Sequence, residues 1–575
     1  MRKLLKYLKN YKKESILGPL FKLLEASFEL IVPLVVAGII DVGIYNKDMN
    51  YVLKMGGMLI LLGVIGLTCS ITAQYFAAKA ATGFGTEVRN QLFAHLNQFS
   101  YQELDKVGTA TLVTRMTSDI NQVQSGVNMV LRLFLRSPFI VIGAMIMAFT
   151  VDVKSALVFV VTIPILSMIV FGIMKASMPF YKRVQQCLDR ITLATRENLV
   201  GVRVIRAFNQ QEREIEQFQK NNLLLLHFQK YVGRISGLLN PITYIVINLA
   251  IIALIWTGGR QVEIGRLTQG EVVALVNYMS QILVELIKLA NLIVTTTKAF
   301  ACANRISAIF DMTPSIVDKN KERQTDNDTD IMVQFSHVNF AYGDSLEDAL
   351  TDIDFKVKRG ETIGIIGGTG SGKTSIIQLI PRFYDVKKGT VFVDGRNVTV
   401  YPQEQLREKI GIVPQKAVLF KGTIRENLRW GKKDATDEEM MKAVSIAQAR
   451  EIVEKQGLDY KIQQGGKNLS GGQRQRLTIA RALVKQPEIL ILDDSASALD
   501  YATDARLRKA IKEETKGMTV FIVSQRASSV RYADQIIVLD DGKIVGIGSH
   551  DMLMKECKIY QEICLSQQVR EEGAK

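Results

Sequence analysis

Long apolar blocks fill the first half of the chain and constrain its fold more than any other feature. A helix that spans a bilayer needs about 20 mostly apolar residues, and segments of that kind recur in this half. The pattern therefore predicts about six transmembrane helices in three pairs, each pair joined by a short loop, and it excludes a purely soluble protein. The predicted spans are Ile16–Ile44, Val52–Ala81, Met129–Thr150, Ala156–Met178, Leu238–Gly258 and Val272–Val294.

The charged segments of this half predict an orientation in the membrane. The N-terminal sequence MRKLLKYLKNYKK is basic and amphipathic, which is typical of a segment that lies on a membrane surface. Two long polar connections, Thr82–Asn128 and Pro179–Gly237, are helical in pattern, and the second is rich in Arg. By the positive-inside rule, the N-terminus and this connection belong in the cytoplasm. The net charge of +15 fits anionic lipid; nucleic acid is the rival partner, and the predicted spans argue against it.

The second half of the chain has a different pattern, in which short strand-sized apolar runs alternate with helical segments. Such alternation indicates an α/β domain. The charged stretch DKNKERQTDNDTD reads as a linker. We therefore predict a transmembrane domain at 1–317, a linker at 318–330 and an α/β nucleotide-binding domain at 331–575. The five cysteines show no metal-binding spacing, so free thiols are expected.

The stretch ETIGIIGGTGSGKTSIIQLI carries the pattern Gly-x4-Gly-Lys-Thr between a predicted strand and a predicted helix. Glycines in such a turn let backbone N–H groups close around phosphates at a helix N-terminus. Lys373 would reach the β- and γ-phosphates, and the Thr374 hydroxyl would bind Mg²⁺. A chance Gly-rich turn is the alternative, and the flanking strand and helix argue against it. The predicted nucleotide-binding residues are Gly367, Gly368, Thr369, Gly370, Ser371, Gly372, Lys373, Thr374 and Ser375.

The stretch ILILDDSASALD places two carboxylates, Asp493 and Asp494, directly after an apolar run typical of a buried parallel strand. Asp493 at the strand end is expected to hold Mg²⁺ beside the phosphates. A helix N-cap is the alternative role, and it is weak once the phosphate loop is accepted.

The segment LSGGQRQR lies between the phosphate loop and this double aspartate, and the ordered set resembles the ATP-binding cassette (ABC) family. The resemblance implies ATP and Mg²⁺ as cofactors. It assigns adenine stacking to Tyr342, Mg²⁺ sensing to Gln415, and a catalytic D-loop to Ser497–Asp500 with Asp500 at its end. The family signature corresponds to Ser470, Gly471, Gly472 and Gln473.

The whole chain resembles a half-transporter of the bacterial multidrug exporter type. The resemblance implies a multi-pass protein of the cell membrane with both termini in the cytoplasm. In that family, the long connections carry coupling helices that dock on the cassettes, and Glu103–Val123 and Asn198–Phe218 look like those connections. Importers usually keep membrane and cassette parts on separate chains, so export is the expected direction.

Two positions depart from the family pattern. Hydrolytic members follow the magnesium aspartate with a glutamate, whereas this chain has the shorter Asp494; their switch histidine is replaced by Gln525 in FIVSQRASS. Losing one methylene of reach misplaces a general base. A homodimer would build two weak sites. A heterodimer would pair the intact signature with a partner that carries Glu and His, and we expect the heterodimer on this resemblance.

The cargo is the least constrained part of the function. Glu25 and Glu29 share one face of the first predicted span, and Glu285 and Lys288 lie in the last. Carboxylates inside a membrane often face a polar cavity, where they would attract cationic amphiphiles. The alternative is that Glu285 and Lys288 pair with each other and that Glu25 lies near the cytoplasmic interface. A drug-like amphiphile is the expected cargo; a lipid exporter and an ATP-gated regulator stay open as alternatives.

Overall fold

The computed structural model describes residues 3–318, 329–343, 345–495 and 497–572. The predicted linker at 318–330 therefore lies outside the described residues over positions 319–328. The chain divides into two compact units. The first comprises Met1–Asn97 and Ala110–Met312, and the second comprises Gln98–Thr109 and Thr313–Lys575.

The first unit is built from long helices. Short 3-10 and π-helical turns at Leu4–Tyr11, Ile39–Ile44 and Arg115–Asp119 adjoin them. The first ten α-helices of the chain, of which α3 belongs to the second unit, are α1 (Lys12–Gly38), α2 (Met49–Leu96), α3 (Tyr101–Val107), α4 (Thr109–Thr114), α5 (Ile120–Leu133), α6 (Arg136–Val151), α7 (Val153–Ala207), α8 (Gln211–Gly237), α9 (Leu239–Glu263) and α10 (Gln269–Phe310).

Six helical segments of the described chain are long and apolar enough to cross a membrane, which confirms the predicted number. Short turns at 45–48, 152 and 264–268 join them in three pairs, and a polar side chain caps the helix after each of these three turns. Asp48 accepts from the N–H of Tyr51, Asp152 from that of Ser155, and Thr268 from that of Glu271. Such caps satisfy N–H groups that have no partner within the helix. The six segments are Leu4–Ile44, Met49–Leu96, Thr109–Val151, Val153–Ala207, Gln211–Glu263 and Gln269–Phe310.

The core of the first unit lies where α1, α6, α7, α9 and α10 meet. Small side chains such as Ala26, Ala144 and Ala274 are fully buried there and let the helix backbones approach closely. Phe159 and Tyr278 fill the larger spaces, and the Tyr278 hydroxyl donates to the Leu30 carbonyl at 2.6 Å. This hydrogen bond ties α10 to α1.

The second unit is an α/β domain organised around a mainly parallel sheet, as predicted. Its six strands run in the order β12-β11-β3-β10-β9-β6, and only the edge pair β11–β12 is antiparallel. A second sheet has the order β2-β1-β4-β5, and β7 pairs with β8. The strands are β1 (Ile331–Phe340), β2 (Leu350–Lys358), β3 (Thr362–Gly367), β4 (Lys388–Val393), β5 (Arg396–Asn397), β6 (Ile410–Val413), β7 (Gly422–Thr423), β8 (Lys461–Ile462), β9 (Ile489–Asp493), β10 (Thr519–Val523), β11 (Gln535–Asp540) and β12 (Lys543–Gly548).

Helices cover the parallel sheet, and its central strands are mostly apolar. Every residue of β9 is buried, including Asp493 at its end. Strands that are covered on both faces read as continuous runs of Ile, Leu and Val, which is why the sequence ILILD predicts this strand. The remaining helices are α11 (Lys373–Leu379), α12 (Gln403–Glu408), α13 (Ile424–Arg429), α14 (Asp437–Ile446), α15 (Arg450–Gln456), α16 (Gly471–Val484), α17 (Tyr501–Glu514), α18 (Ala527–Val530), α19 (His550–Glu556) and α20 (Lys558–Glu572), with a 3-10 turn at Gln464–Gly466.

Helix α3 is part of the second unit although its sequence lies between segments of the first. The Tyr384 hydroxyl donates to the Asp105 carboxylate at 2.6 Å, and the Tyr101 ring lies 4.6 Å from that of Phe383. A capping box between Ser100 and Glu103 begins the helix. The first predicted coupling segment therefore contributes a short helix that packs within the α/β unit.

Candidate active site

The phosphate loop connects β3 to α11, as its sequence predicts. Gly370 and Gly372 have φ values of 85° and 92°, in the left-handed region that favours glycine. A Cβ atom at Gly367 would lie 2.2 Å from the carbonyl oxygen of Leu539, so only glycine fits there. Glycines at these positions allow a tight turn of the kind whose backbone N–H groups can bind phosphate.

Lys373 begins α11 and lies across this loop. Its Nζ donates to the carbonyl oxygens of Gly367 and Gly368 at 2.9 and 2.5 Å. Burial lowers the pKa of this ammonium, and the carboxylates Asp493 and Asp494 oppose that shift. A buried ammonium group next to a glycine-rich loop of this kind is suited to pairing with phosphate oxygens.

A pocket of about 360 Å³ lies over the loop and brings together most of the residues predicted for nucleotide binding. Two lining residues, Ala349 and Val523, were not predicted, because neither carries a functional group that marks it in the sequence. Gly367 and Gly368 shape the loop and are not part of the lining. The predicted residues that line the pocket are Tyr342, Thr369, Gly370, Ser371, Gly372, Lys373, Thr374, Ser375, Gln415, Asp493, Asp494 and Gln525.

Tyr342 borders this pocket and is held in place by its neighbours. Its ring packs edge-on against Phe340 and Tyr384, with centroids 4.7 and 5.3 Å away. Its hydroxyl lies 2.8 Å from the Ser375 hydroxyl and donates to the Gln378 side chain at 3.2 Å. The side chain is still 39% exposed, so part of an aromatic surface is available at the pocket edge.

Two oxygen atoms at the bottom of the pocket could bind a cation together. The Thr374 hydroxyl donates to an Asp493 carboxylate oxygen at 3.2 Å. Burial raises the pKa of Asp493, and the charge of Asp494 raises it further. Among the described residues, no group of three or more His, Cys, Asp and Glu side chains could hold a metal ion. An ion here would be bound by a hydroxyl, a single carboxylate and oxygens of the ligand.

Asp494 follows the strand end in an unusual backbone conformation, with φ at 44°. Asp tolerates this left-handed region better than most residues with a side chain. Its N–H donates to the Val523 carbonyl at 2.9 Å, and its carboxylate accepts from the Gln415 amide at 3.4 Å. Burial raises the pKa of this carboxyl. Asp494 and Gln525, the two residues predicted to depart from the family pattern, therefore lie in the same pocket as the phosphate loop.

The signature residues lie outside this pocket, at the start of α16. Ser470 is the N-cap: its hydroxyl accepts from the Gln473 N–H at 3.2 Å, and the Gln473 side chain accepts from the Ser470 N–H at 2.9 Å. A Cβ at Gly471 would meet no atom within 4 Å, whereas one at Gly472 would lie 3.2 Å from the Ala498 carbonyl. The helix thus begins with an open glycine surface where an anion can approach.

Asp500 likewise lies outside the pocket. Its carboxylate accepts from the Thr503 N–H at 2.8 Å and caps α17. This backbone hydrogen bond lowers the pKa of Asp500. The predicted site residues therefore form two groups, one around the phosphate loop and one around the signature helix.

The first unit contains a second polar site, formed by the acidic residues that were predicted to bear on cargo. Glu285 pairs with Lys288 at 2.8 Å, so the pairing alternative is correct for these two residues. Glu285 also accepts from Arg136 at 2.5 Å and from the Ser137 hydroxyl at 2.7 Å. Glu29 pairs with Arg136 at 2.6 Å.

Sequence reasoning missed the two cations that complete this site. Arg136 is buried between α1 and α10, and Lys22 is buried beside Glu25, at 2.5 Å. Both lie within or beside predicted spans, where a charged residue is costly unless it is paired. The sequence feature that could have identified both positions is a charged residue inside an apolar predicted span.

Comparisons with known proteins agree with this architecture. Two family models match the chain: the ABC transporter transmembrane region at residues 15–286 and the ABC transporter at residues 350–497. An uncharacterized ABC transporter ATP-binding protein of Bacillus subtilis, YfiB, is 35% identical over 573 residues, covering 99% of both chains. This chain belongs to the ABC transporter family. As a member, it is an ATP-binding, multi-pass membrane protein that couples ATP hydrolysis to transport.

Other relatives and a solved structure are also similar to this chain over nearly its full length. The putative multidrug export ATP-binding/permease protein YgaD of Bacillus subtilis is 31% identical, covering 98% of both chains. The structure of a bacterial Atm1-family ABC exporter with ATP bound matches with a TM-score of 0.80 at 22% identity, covering 97% of this chain and 98% of the other. That likeness establishes the fold as that of an ABC exporter.

Proposed function

We propose that this ABC transporter is one half of a heterodimeric exporter of amphiphilic compounds. In this proposal, its own ATP site binds nucleotide and hydrolyses it slowly. The observation that carries the proposal is the composition of the phosphate-loop pocket. Intact binding groups share that pocket with Asp494 and Gln525, at the positions where hydrolytic members of the family carry Glu and His.

The proposed contacts to ATP follow from the pocket. Tyr342 would stack on adenine, Lys373 would pair with the β- and γ-phosphates, and the glycines of the loop would offer N–H groups to them. Thr374 and Asp493, with their oxygens 3.2 Å apart, would hold Mg²⁺. Adjacent ligands of an octahedral Mg²⁺ lie about 3 Å apart, since each bond is roughly 2.0–2.1 Å long. The ion would neutralise part of the phosphate charge. Gln415, which lines the same pocket, would be a further ligand of the ion.

Slow hydrolysis is expected because the base is poorly placed. The Asp494 carboxylate is one methylene shorter than glutamate, and its position is restricted by the hydrogen bond from Gln415. A base that is misplaced by about 1 Å costs roughly a hundredfold in rate. Gln525 cannot supply the cationic contact that a protonated histidine would give to a γ-phosphate.

The signature helix supports a working site elsewhere in the complex. Ser470, Gly471 and Gly472 offer an accessible helix N-terminus that is separate from this chain's own pocket. In the family, two cassettes pair head to tail, so this surface would complete the ATP site of a partner. A partner with Glu and His at its own phosphate-loop site would then hydrolyse ATP there, and Asp500 of this chain would lie nearby.

The second predicted coupling segment, Asn198–Phe218, supports a partner cassette. It spans the junction of α7 and α8. Large apolar side chains are exposed along it, with Leu199 at 70%, Val200 at 81% and Phe208 at 71%. Exposed apolar clusters of this kind mark interaction surfaces. The proposed assembly lies in the bacterial cell membrane with both termini in the cytoplasm, and the name of YgaD supports multidrug export.

The experiment that tests the heterodimer compares ATP hydrolysis by the purified chain alone with hydrolysis by the chain co-purified with a candidate second half-transporter. We expect the pair to hydrolyse ATP at least tenfold faster, because a well-placed base and a contact to the γ-phosphate each lower the activation barrier considerably. Brisk turnover by the chain alone would contradict the proposal.

Restoring the two altered positions provides a matched test within this chain. Asp494→Glu with Gln525→His should raise hydrolysis by the chain alone about tenfold or more, since the base regains its reach. The same double variant with Lys373→Ala should lose that gain, because nucleotide no longer binds well. If the restored chain stays as slow as the original, the slow hydrolysis has another cause.

A further inference from the structure

Four charged side chains of the membrane unit form one alternating chain. Glu29 on α1 pairs with Arg136 on α6 at 2.6 Å, Arg136 pairs with Glu285 on α10 at 2.5 Å, and Glu285 pairs with Lys288 at 2.8 Å. The chain contains two carboxylates and two cations, so it carries no net charge. Each inner member has two charged partners within it, whereas each end member has one.

The two inner members are buried and the two end members are not. The side chains of Arg136 and Glu285 are 7% and 3% exposed, while those of Glu29 and Lys288 are 40% and 41% exposed. The Ser137 hydroxyl satisfies the second oxygen of Glu285. The Arg136–Glu285 pair therefore serves the packing of the helices, whereas Glu29 and Lys288 can each bind a further charged group.

Both ends face the same cavity. A space of about 420 Å³ is lined by Glu29, Glu285 and Lys288 together with apolar side chains, among them Val32, Val36 and Val284. Gln281 also lines it, and its side-chain oxygen is buried without a hydrogen-bond partner. The cavity thus offers a carboxylate, an ammonium group and an apolar wall side by side.

We propose that this cavity selects an amphiphile with a zwitterionic headgroup, such as a phosphocholine attached to an alkyl chain. The cationic end of the headgroup would pair with Glu29, its anionic end with Lys288, and the alkyl chain would lie against the valines. A cargo with a single positive charge gains from Glu29 and is repelled by Lys288, and an anion meets the reverse. Only a headgroup with both signs satisfies both ends of the charge chain.

The neighbouring ion pair supports this balance. Lys22 and Glu25 pair at 2.5 Å on α1, Glu25 also lies 4.0 Å from Arg136, and neither residue lines the cavity. They add no net charge to its surroundings. The expectation from the sequence, that acidic residues here favour cations, omits Arg136 and Lys22, which neutralise those residues.

The inference rests on the proposed export function and specifies its substrate class. It is tested by binding without nucleotide, so neither a degenerate ATP site nor slow hydrolysis affects the result. The complex is placed in phosphatidylglycerol nanodiscs, which contain no zwitterionic headgroup. Four probes of equal chain length are compared against empty nanodiscs: palmitoyl-lysophosphatidylcholine, hexadecyltrimethylammonium, hexadecyl phosphate and monopalmitoylglycerol.

We expect the lysophosphatidylcholine to bind at least tenfold more tightly than the cationic, anionic and neutral probes. Glycerophosphocholine, which has the same headgroup without the alkyl chain, distinguishes a site fed from the membrane from one that takes soluble zwitterions. Tight binding of glycerophosphocholine assigns the site to soluble zwitterions, and weak binding assigns it to amphiphiles in the membrane. Equal binding of all four amphiphiles, tightest binding of the cation or the anion, or no binding would overturn the proposal.

Single substitutions at the two ends should shift the preference in opposite directions. Glu29→Gln should favour the anionic probe over lysophosphatidylcholine, and Lys288→Gln should favour the cationic probe. Glu14→Gln is the matched control, because it removes a carboxylate from the same helix that lies outside the cavity and pairs with Lys79, and it should leave the preference unchanged. If Glu29→Gln and Lys288→Gln weaken the binding of all four probes equally, the charge chain is structural and the proposal is wrong. If a variant does not fold, the comparison of the four probes on the unsubstituted complex still tests the proposal.

Discussion

The two polar sites of this transporter are assembled in opposite ways. The nucleotide pocket takes half of its lining residues from one continuous stretch, Thr369–Ser375, in which backbone N–H groups are expected to bind phosphate. The membrane charge chain joins side chains that are 107 and 149 positions apart, from three different helices. The first site depends on local geometry, and the second depends on how the helices pack.

This difference predicts how each site responds to substitution. A backbone-based pocket keeps its shape when a lining side chain changes, so the departures proposed at Asp494 and Gln525 are compatible with an intact loop. In the charge chain, the loss of one member leaves another charge buried without its partner, which is costly. Binding and hydrolysis can therefore separate in the cassette, whereas packing and charge cannot separate in the membrane unit.

The largest effect is expected from Arg136→Met. It leaves Glu285 buried with one cation instead of two, and breaking a buried pair in this way costs about 3 kcal/mol or more. The free energy of unfolding of the purified protein in detergent would measure this loss. Lys54→Met, on the exposed part of α2, is the control and should change it little.

A double variant tests whether charge imbalance is the cause. Arg136→Met with Glu285→Met removes both buried members, and the remaining Glu29 and Lys288 are partly exposed. We expect the double variant to be more stable than Arg136→Met alone. If it is less stable, the two residues stabilise the helices through packing rather than through charge. The charge chain would then differ less from the nucleotide pocket than we propose.

The same difference explains which features could be predicted from the sequence. The spans, the phosphate loop and the strand before Asp493 are encoded in short contiguous patterns, and the structure contains all of them. Tyr342, Gln415 and Gln525 were placed by their order in the family pattern, and they line the predicted pocket. The partners of Glu29 and Glu285 were not predicted, because no local pattern indicates which helix faces which.

Gly471→Asp sharpens the comparison within the cassette. A Cβ atom at this position meets no atom within 4 Å, so the cassette should fold normally. The added carboxylate would lie at the helix N-terminus that is proposed to face the partner's γ-phosphate, where like charges repel. We expect steady-state ATP hydrolysis by the complex to fall about a hundredfold, comparable to losing a principal transition-state contact.

Gly471→Ala is the control for this substitution. It adds a methyl group without charge into open space, and hydrolysis should fall by less than about tenfold, with part of the loss due to backbone stiffening. If alanine is as damaging as aspartate, bulk at the signature and not charge limits the partner's site.

Lys373→Ala should have an intermediate effect that is confined to this chain's own pocket. A charge-assisted hydrogen bond contributes about 1.5–3 kcal/mol, so nucleotide retention at this site should fall at least tenfold. Trapping of labelled ATP by the complex, with the two subunits separated afterwards, would measure each site. Lys388→Ala, at an exposed position of β4, should leave retention unchanged. Unchanged occupancy in Lys373→Ala would contradict the assignment of the phosphate loop.

The smallest effect is expected from Asp494→Asn, although Asp494 is predicted to occupy the position of the family's general base. In the proposed dimer, this residue belongs to the slow site, where its carboxylate already accepts a hydrogen bond from Gln415. Asparagine keeps the size of the side chain and can still accept that bond, so hydrolysis by the complex should stay within about twofold. The adjacent Asp493→Asn is the matched comparison, since it removes the proposed Mg²⁺ ligand and should weaken nucleotide retention at the same site. A greater loss of hydrolysis from Asp494→Asn than from Gly471→Asp would make Asp494 a working base. Hydrolysis would then occur in the pocket with the shorter carboxylate, and the division of labour between the two cassettes would be the reverse of the one proposed.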